Sequence, residues 1–290
     1  MTTYLEFAAR GKNAWWRYAA CVIAACIATV AIFAAVLLPL SITHVLPANF
    51  AAEIQQPTNP VVFFGVVALT FGSLLAGFAL AIRLIHRKRI GDVMGSWNWR
   101  AFFLGACIWA VIQCASILID FLIAPHSFSV SVSAETAVLA IVAFGGLSIQ
   151  TFCEEFVFRG YITQGILLAT KRPVLAAVLS GSLFGALHIW NGAPQAVGAL
   201  FFGIVCSLIA IRTGSIAFTF GVHFVNNYMG AVAVVSAGDI FKNSPGILLQ
   251  NAPQLLWWDI GVSIVGLIAV LTLVRRLGNP QAAVVPLGAR

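Results

Sequence analysis

The sequence predicts an all-α, polytopic membrane helical bundle of about eight transmembrane helices with both termini cytoplasmic. Three observations predict it. The chain is 61% hydrophobic and only 9% charged, a balance outside that of ordinary water-soluble domains. Its apolar residues gather in runs near 18–41, 61–82, 101–124, 137–158, 173–190, 195–211, 214–236 and 255–274, each close to the roughly 20 residues that cross a bilayer. Its cations fall between those runs, on one side.

The first run follows Arg10, Lys12 and Arg17 as a signal peptide would. It is long and lacks a small-residue cleavage site, so it reads as a true span. With alternating topology, Arg10, Lys12, Arg17, Arg83, Arg87, Lys88, Arg89, Arg100, Lys171, Arg172, Arg212, Arg275, Arg276 and Arg290 share a side. Apart from Arg159, only Lys242 falls opposite, and short cation-rich loops stay cytoplasmic. Trp15, Trp16, Trp97, Trp99, Trp257 and Trp258 lie at span ends, where an amphipathic ring suits the headgroup region. The fourth run is the least regular: the apolar stretch 137–169 exceeds one span, so the helix tilts or projects, or breaks at Gly145-Gly146.

Other classes are excluded. The net charge of +7 is not gathered into a basic face interleaved with aromatics, so nucleic acid is not a partner. The six cysteines lie within apolar runs without CxxC spacing, which indicates neither disulfides nor a zinc ribbon. The loops near 42–60, 83–100 and 237–254 are too short for a core of their own. Residues 1–290 are therefore expected to form a single membrane domain, and the expected location is the plasma (inner) membrane.

The chemistry concentrates in CEEFVFRG. A charge at mid-bilayer costs about 3 kcal/mol on insertion scales, yet Glu154, Glu155 and Arg159 fall within six residues. Glu155 and Arg159, at i,i+4, can pair; Glu154, about 100° around the helix, is left unexplained. Two further segments put polar groups where leucine is expected: FGALHIWN, with Phe184, His188 and Asn191, and GVHFVNN, with His223, Asn226 and Asn227. Counting from the turn at Lys171-Arg172-Pro173, Glu154 and His188 reach similar heights in an antiparallel hairpin and can face each other. A carboxylate facing two imidazoles and an amide in a dry cavity suits hydrolysis, with Glu154 taking a proton from water and returning it to a leaving group. His223 and Asn227 could donate to an oxyanion, or Glu154, His188 and His223 could hold Zn²⁺ with an open water position. Spacing does not choose between them.

These motifs, EExxxR (Glu154, Glu155, Arg159), FxxxH (Phe184, His188) and HxxxN (His223, Asn227), in this order on successive membrane helices, resemble the CAAX-protease and bacteriocin-processing (CPBP, or Abi) family of intramembrane endopeptidases. The eukaryotic prenyl-protein endoprotease belongs to that family. The similarity covers roughly residues 135–236, the expected catalytic core; residues 1–134 are less specific. The resemblance implies that Glu154 activates water with His188, that His223 and Asn227 stabilise the oxyanion or complete a metal site, and that Glu155 and Arg159 support Glu154. It implies a peptide or protein substrate at the membrane.

Blander readings compete. Glu154, Glu155 and Arg159 could be an ion network that fixes packing, and a lone membrane histidine is more often an interhelical contact. Asn191 and Asn226 read as caps or interhelical hydrogen bonds. Cys153 points about 100° away from Glu154, with nothing placed to make it a thiolate. Gly181-xxx-Gly185 reads as a close-packing face, and Asp120 and Asp259 as interfacial or helix-end residues. Two other functions fit the composition: an ion- or proton-coupled carrier, which would require paired broken helices in related halves, and a non-catalytic membrane scaffold or immunity protein.

Overall fold

The computed structural model describes residues 2–46, 50, 59–242 and 244–276. Arg290 and most of the 42–60 loop lie outside them. The chain is a polytopic helical bundle, and six of its described helices are long and apolar enough to cross a membrane.

A short helix α1 (Thr2–Ala9) precedes α2 (Trp15–Ile42). Helix α3 (Pro60–Ala81) opens on an N-cap, with Asn59 accepting from the amides of Val61 and Val62, and proline at its first position needs no partner for its missing donor. It continues as a π-turn, Ile82–His86, which ends where Arg87 turns left-handed. After the single turn α4 (Ile90–Met94), Asn98 caps α5 (Trp99–Ile123). Ser133 and Thr136 form a reciprocal cap on α6 (Ala134–Glu154). That helix runs on as a π-helical stretch, Glu155–Ile162, into α7 (Thr163–Thr170). Helices α8 (Pro173–Leu187), α9 (Ala193–Thr213), α10 (Ala217–Tyr228) and α11 (Leu256–Arg276) complete the bundle.

The expected fifth and seventh runs are represented by α8 and α10, which at 15 and 12 residues are shorter than a span. The fourth run is one 37-residue helical path from Ala134 to Thr170, about 55 Å at 1.5 Å per residue against a hydrocarbon core of about 30 Å. It therefore tilts or projects. It does not break at Gly145-Gly146: the helix passes straight through, and Gly146 lets α3 approach, since a Cβ there would lie 2.9 Å from the Phe64 carbonyl oxygen. Gly181 and Gly185 form the expected close-packing face, with Ile204 N 2.6 Å and Ala196 O 3.0 Å from where their Cβ atoms would be.

The all-α expectation missed one feature. Strands β1 (Phe128–Val130), β2 (Val234–Ser236) and β3 (Leu248–Gln250) form a small sheet in the order β1-β3-β2, antiparallel then parallel. Three-residue strands carry too few alternating positions to be read from pattern.

Apolar side chains cover the outside, with Ile27, Val30 and Val111 all more than 60% exposed, as lipid contact demands. Trp15, Trp16, Trp99, Trp257 and Trp258 are exposed at helix starts, as expected. The core surrounds Phe156, Phe184, Phe202, Cys206 and Phe218.

At one end α1 docks against the 86–93 segment. Lys88 Nζ donates to Ala8 O at 2.7 Å, Arg10 pairs with Asp92 at 2.8 Å, and the Lys12 amide donates to His86 O at 2.7 Å. Arg10, Lys12 and Lys88, three of the residues expected on one face, thus meet at this end.

Candidate active site

Glu154 closes α6 and Glu155 opens the π-helical stretch. In a π-turn each N–H reaches back five residues instead of four, which shifts the ladder and re-aims side chains. Hydroxyls brace this one: Thr163 and Ser180 donate to Phe158 O at 2.8 and 3.0 Å, and the Tyr4 hydroxyl donates to Arg159 O.

The two adjacent carboxylates meet different surroundings. Glu155 is fully buried; its Oε1 lies 3.1 Å from Arg159 Nη1 and accepts from His223 Nδ1 at 2.9 Å. The Arg159 contact is an ion pair without hydrogen-bond alignment. The guanidinium is also held over the faces of Phe184 and Phe202, 4.2 and 5.4 Å from their centroids, where the ring quadrupoles attract it. This i,i+4 pair is the one the sequence predicts.

Glu154 turns instead into a cavity of about 560 Å³. Its Oε1 accepts from Gln150 Nε2 at 2.8 Å, whereas its buried Oε2 has no hydrogen-bond partner among the described residues. His223 Nε2 lies 3.4 Å from Oε2. Because the Nδ1 of His223 donates to Glu155, the neutral ring presents Nε2 as a lone pair.

His188, at the C-terminal end of α8, lines the same cavity. Its Nδ1 donates to Phe184 O at 2.8 Å and its ring packs 4.5 Å from that of Phe184, which leaves Nε2 as the acceptor. The hairpin register thus brings Glu154 and His188 to one cavity. Asn227 is there too, its Nδ2 donating to Gln150 Oε1 at 3.0 Å. Asn226 makes an interhelical bond, as expected, accepting from Trp109 Nε1 at 3.1 Å.

Glu154, Glu155, Arg159, His188, His223 and Asn227 therefore gather on one cavity and the packing behind it. Asp120 and Asp259 do not line it; Asp120 is buried near the end of α5, its Oδ2 accepting from Gln250 Nε2 at 3.5 Å. As for zinc, among the described residues no group of three or more His, Cys, Asp or Glu side chains is placed to hold a metal ion.

Two contributors escape the sequence reading. Gln150 stands one turn before Glu154, and its amide in an apolar run was the available signal. Phe202, 4.9 Å from the His223 ring, looks like any core phenylalanine. The remaining lining is mostly apolar, with Phe63, Phe71 and Leu74 from α3 and Ile260 and Ile264 from α11, and its polar members are Asn191, Gln195, Asp239 and Ser263.

Fold and site together define an integral membrane protein with acid–base side chains enclosed in a largely apolar cavity. Residues 135–229 match the family model described as type II CAAX prenyl endopeptidase Rce1-like. Among curated proteins, the uncharacterized protein YyaK of Bacillus subtilis (strain 168) is 27% identical over 275 residues, covering 88% of this chain and 91% of that one. No solved structure matches the chain. The resemblance to the CAAX-protease family holds over the segment that carries all three motifs.

Proposed function

We propose that the chain is an intramembrane endopeptidase that hydrolyses a peptide bond of a membrane-associated or prenylated substrate, with Glu154 as the base. The observation that carries this reading is Glu154 itself: its buried Oε2 has no hydrogen-bond partner among the described residues, and the residue lines a cavity that His188, His223 and Asn227 also line.

In this reading Oε2 takes a proton from water while the water oxygen bonds to the scissile carbonyl carbon. His188 Nε2 accepts the second water hydrogen and orients the attack. The oxyanion accepts from the Asn227 N–H that Gln150 does not use. His223, backed by Glu155 as an imidazole is backed in a triad, exchanges the proton with Glu154 Oε2 and, when protonated, donates to the oxyanion. The C–N bond then breaks and the proton passes to the leaving amine. Arg159 pairs with Glu155. This route is written without a metal; in a zinc-dependent version Glu154 and the Nε2 atoms of His188 and His223 would hold the ion, and metal analysis of active protein with chelation decides it.

The apolar walls from α3 and α11 suit an apolar or lipid-modified peptide. Eight membrane segments in the plasma membrane with both termini cytoplasmic complete the reading, supported by the one-sided cations and tested by terminal reporter fusions. The decisive experiment compares the peptides of cells carrying wild type and Glu154→Gln. A processed peptide that vanishes in the variant is expected; no Glu154-dependent peptide overturns the proposal.

A further inference from the structure

Along the cavity wall, five side chains from three helices form an unbroken chain of hydrogen bonds, of which only Trp109 does not line the cavity. Trp109 Nε1 donates to Asn226 Oδ1 at 3.1 Å, Asn226 Nδ2 to Asn227 Oδ1 at 3.1 Å, Asn227 Nδ2 to Gln150 Oε1 at 3.0 Å, and Gln150 Nε2 to Glu154 Oε1 at 2.8 Å. An amide can point either way, because its oxygen accepts and its nitrogen donates. Here the ends remove the choice. An indole N–H only donates, and an ionised carboxylate only accepts, so all three amides must point from Trp109 toward Glu154.

We infer that Trp109, Asn226 and Gln150 are positioning residues: a one-way relay that decides which oxygen of Glu154 works as the base and which hydrogen of Asn227 faces the substrate. The inference rests on the hydrolytic reading above. With Gln150 donating to Oε1, that oxygen is the poorer proton acceptor, and the incoming proton goes to Oε2, beside His223 Nε2. With one Asn227 N–H committed to Gln150, the other is the donor available to the cavity. Were Asn227 flipped, its carbonyl would face the substrate oxygen and repel it.

The origin of the relay is informative. Trp109 is fully buried on α5, outside the segment 135–229 that matches the family model. The N-terminal part of this chain therefore contributes to the site through a residue that belongs to none of the three motifs.

The test needs one readout without substrate and one with it. In purified full-length protein labelled with ¹⁵N at tryptophan, the indole signal of Trp109 is assigned by its loss in Trp109→Phe. Gln150→Leu and Glu154→Gln, which act two or more links away, are expected to shift that signal while the other seven tryptophans stay in place. A Trp109 signal unmoved by both overturns the relay, whatever the protein's activity. With an internally quenched peptide ending in a farnesylated CAAX sequence, Trp109→Phe and Gln150→Leu are each expected to lower kcat about tenfold with little change in KM. The double variant should be no slower than the slower single one, because both interrupt the same chain; losses that multiply overturn the relay. If Glu154→Gln cleaves as wild type does, the hydrolytic reading itself falls; if it is inactive while Trp109→Phe and Gln150→Leu keep wild-type kcat, only the relay falls. Should Gln150→Leu not fold, Asn226→Leu breaks the same chain between Trp109 and Asn227.

Discussion

Two buried polar clusters in this bundle use the same residue types to opposite ends. At the cation-rich end, His86 donates Nδ1–H to Lys12 O at 2.8 Å and accepts the Tyr161 hydroxyl at Nε2, also at 2.8 Å. Both oxygens of Asp92 are occupied, one by Arg10 and the other by the amide of Arg89 at 2.9 Å. In the cavity, His223 reaches toward a Glu154 oxygen that has no hydrogen-bond partner. Burial of a carboxylate and an imidazole is thus common to both; an acceptor left open in the cavity distinguishes the second. A satisfied network rigidifies, whereas an open acceptor beside a cavity is available for chemistry.

The strongest way to break that contrast is Glu154→Gln. If the open oxygen is the base, the substitution should lower cleavage by 10² to 10⁴-fold and leave the thermal unfolding of the purified protein nearly unchanged. The reverse result, lost stability with retained cleavage, would make the cavity cluster as structural as the other. Next comes Arg159→Met, which strands the Glu155 carboxylate in a fully buried site. Removing one partner of a buried pair costs roughly 3–5 kcal/mol, so a large loss of stability is expected. Adding Glu155→Gln should restore most of it without restoring cleavage. Restored cleavage would show that Glu155 does not orient His223 for the reaction.

The two clusters also differ in how far the sequence shows them. The cavity residues were legible because Glu154, His188 and His223 interrupt apolar runs, where a polar group needs a reason. Helical spacing then assigned Arg159 to Glu155 correctly. Gln150 was hidden because an uncharged amide in a membrane helix costs less and stands out less, and Trp109 because an indole reads as packing. The cation-rich end was hidden in a different way. Lys88, Arg10 and Lys12 were counted as markers of topology, and nothing in a positive-inside pattern says that Lys88 would be buried and bonded to Ala8. The long apolar helices were legible from composition, but the limits of the fourth run and the continuity of helix through Gly145-Gly146 were not, and Gly146 is where the α3 backbone passes close. Helix α1 lay before the first apolar run and had no length or hydropathy to announce it.

Tyr4→Phe sharpens the contrast at the point where the clusters meet. The Tyr4 ring is fully buried and its hydroxyl donates to Arg159 O in the π-helical stretch. Losing that donor should cost about 1–2 kcal/mol. The cost should appear as faster hydrogen exchange across residues 155–164. An effect confined to kcat, with exchange unchanged, would instead assign the N-terminal helix to the catalytic cluster.

The smallest expected effect concerns Lys88, whose ammonium is buried beneath α1 and outside the membrane-spanning segments. Desolvation pushes its pKa down to about 8, against the opposing attraction of Asp92. The sign follows from proton counts. Between about pH 8 and the ordinary lysine value near 10.4, the undocked form binds more protons than the docked one, so docking of α1 strengthens as pH rises. Below about pH 8 both forms are protonated and the dependence vanishes. The neutral amine still donates to Ala8 O, so the bond at 2.7 Å survives deprotonation. Solvent screening keeps the gain to about 1 kcal/mol or less. Thermal unfolding at pH 7, 8.5 and 10, taken as the difference between wild type and Lys88→Met, isolates it from other titrations. Stability that falls across this window relative to the variant would mean that Lys88 depends on its charge there, and that this cluster, like the one around Glu154, is governed by protonation.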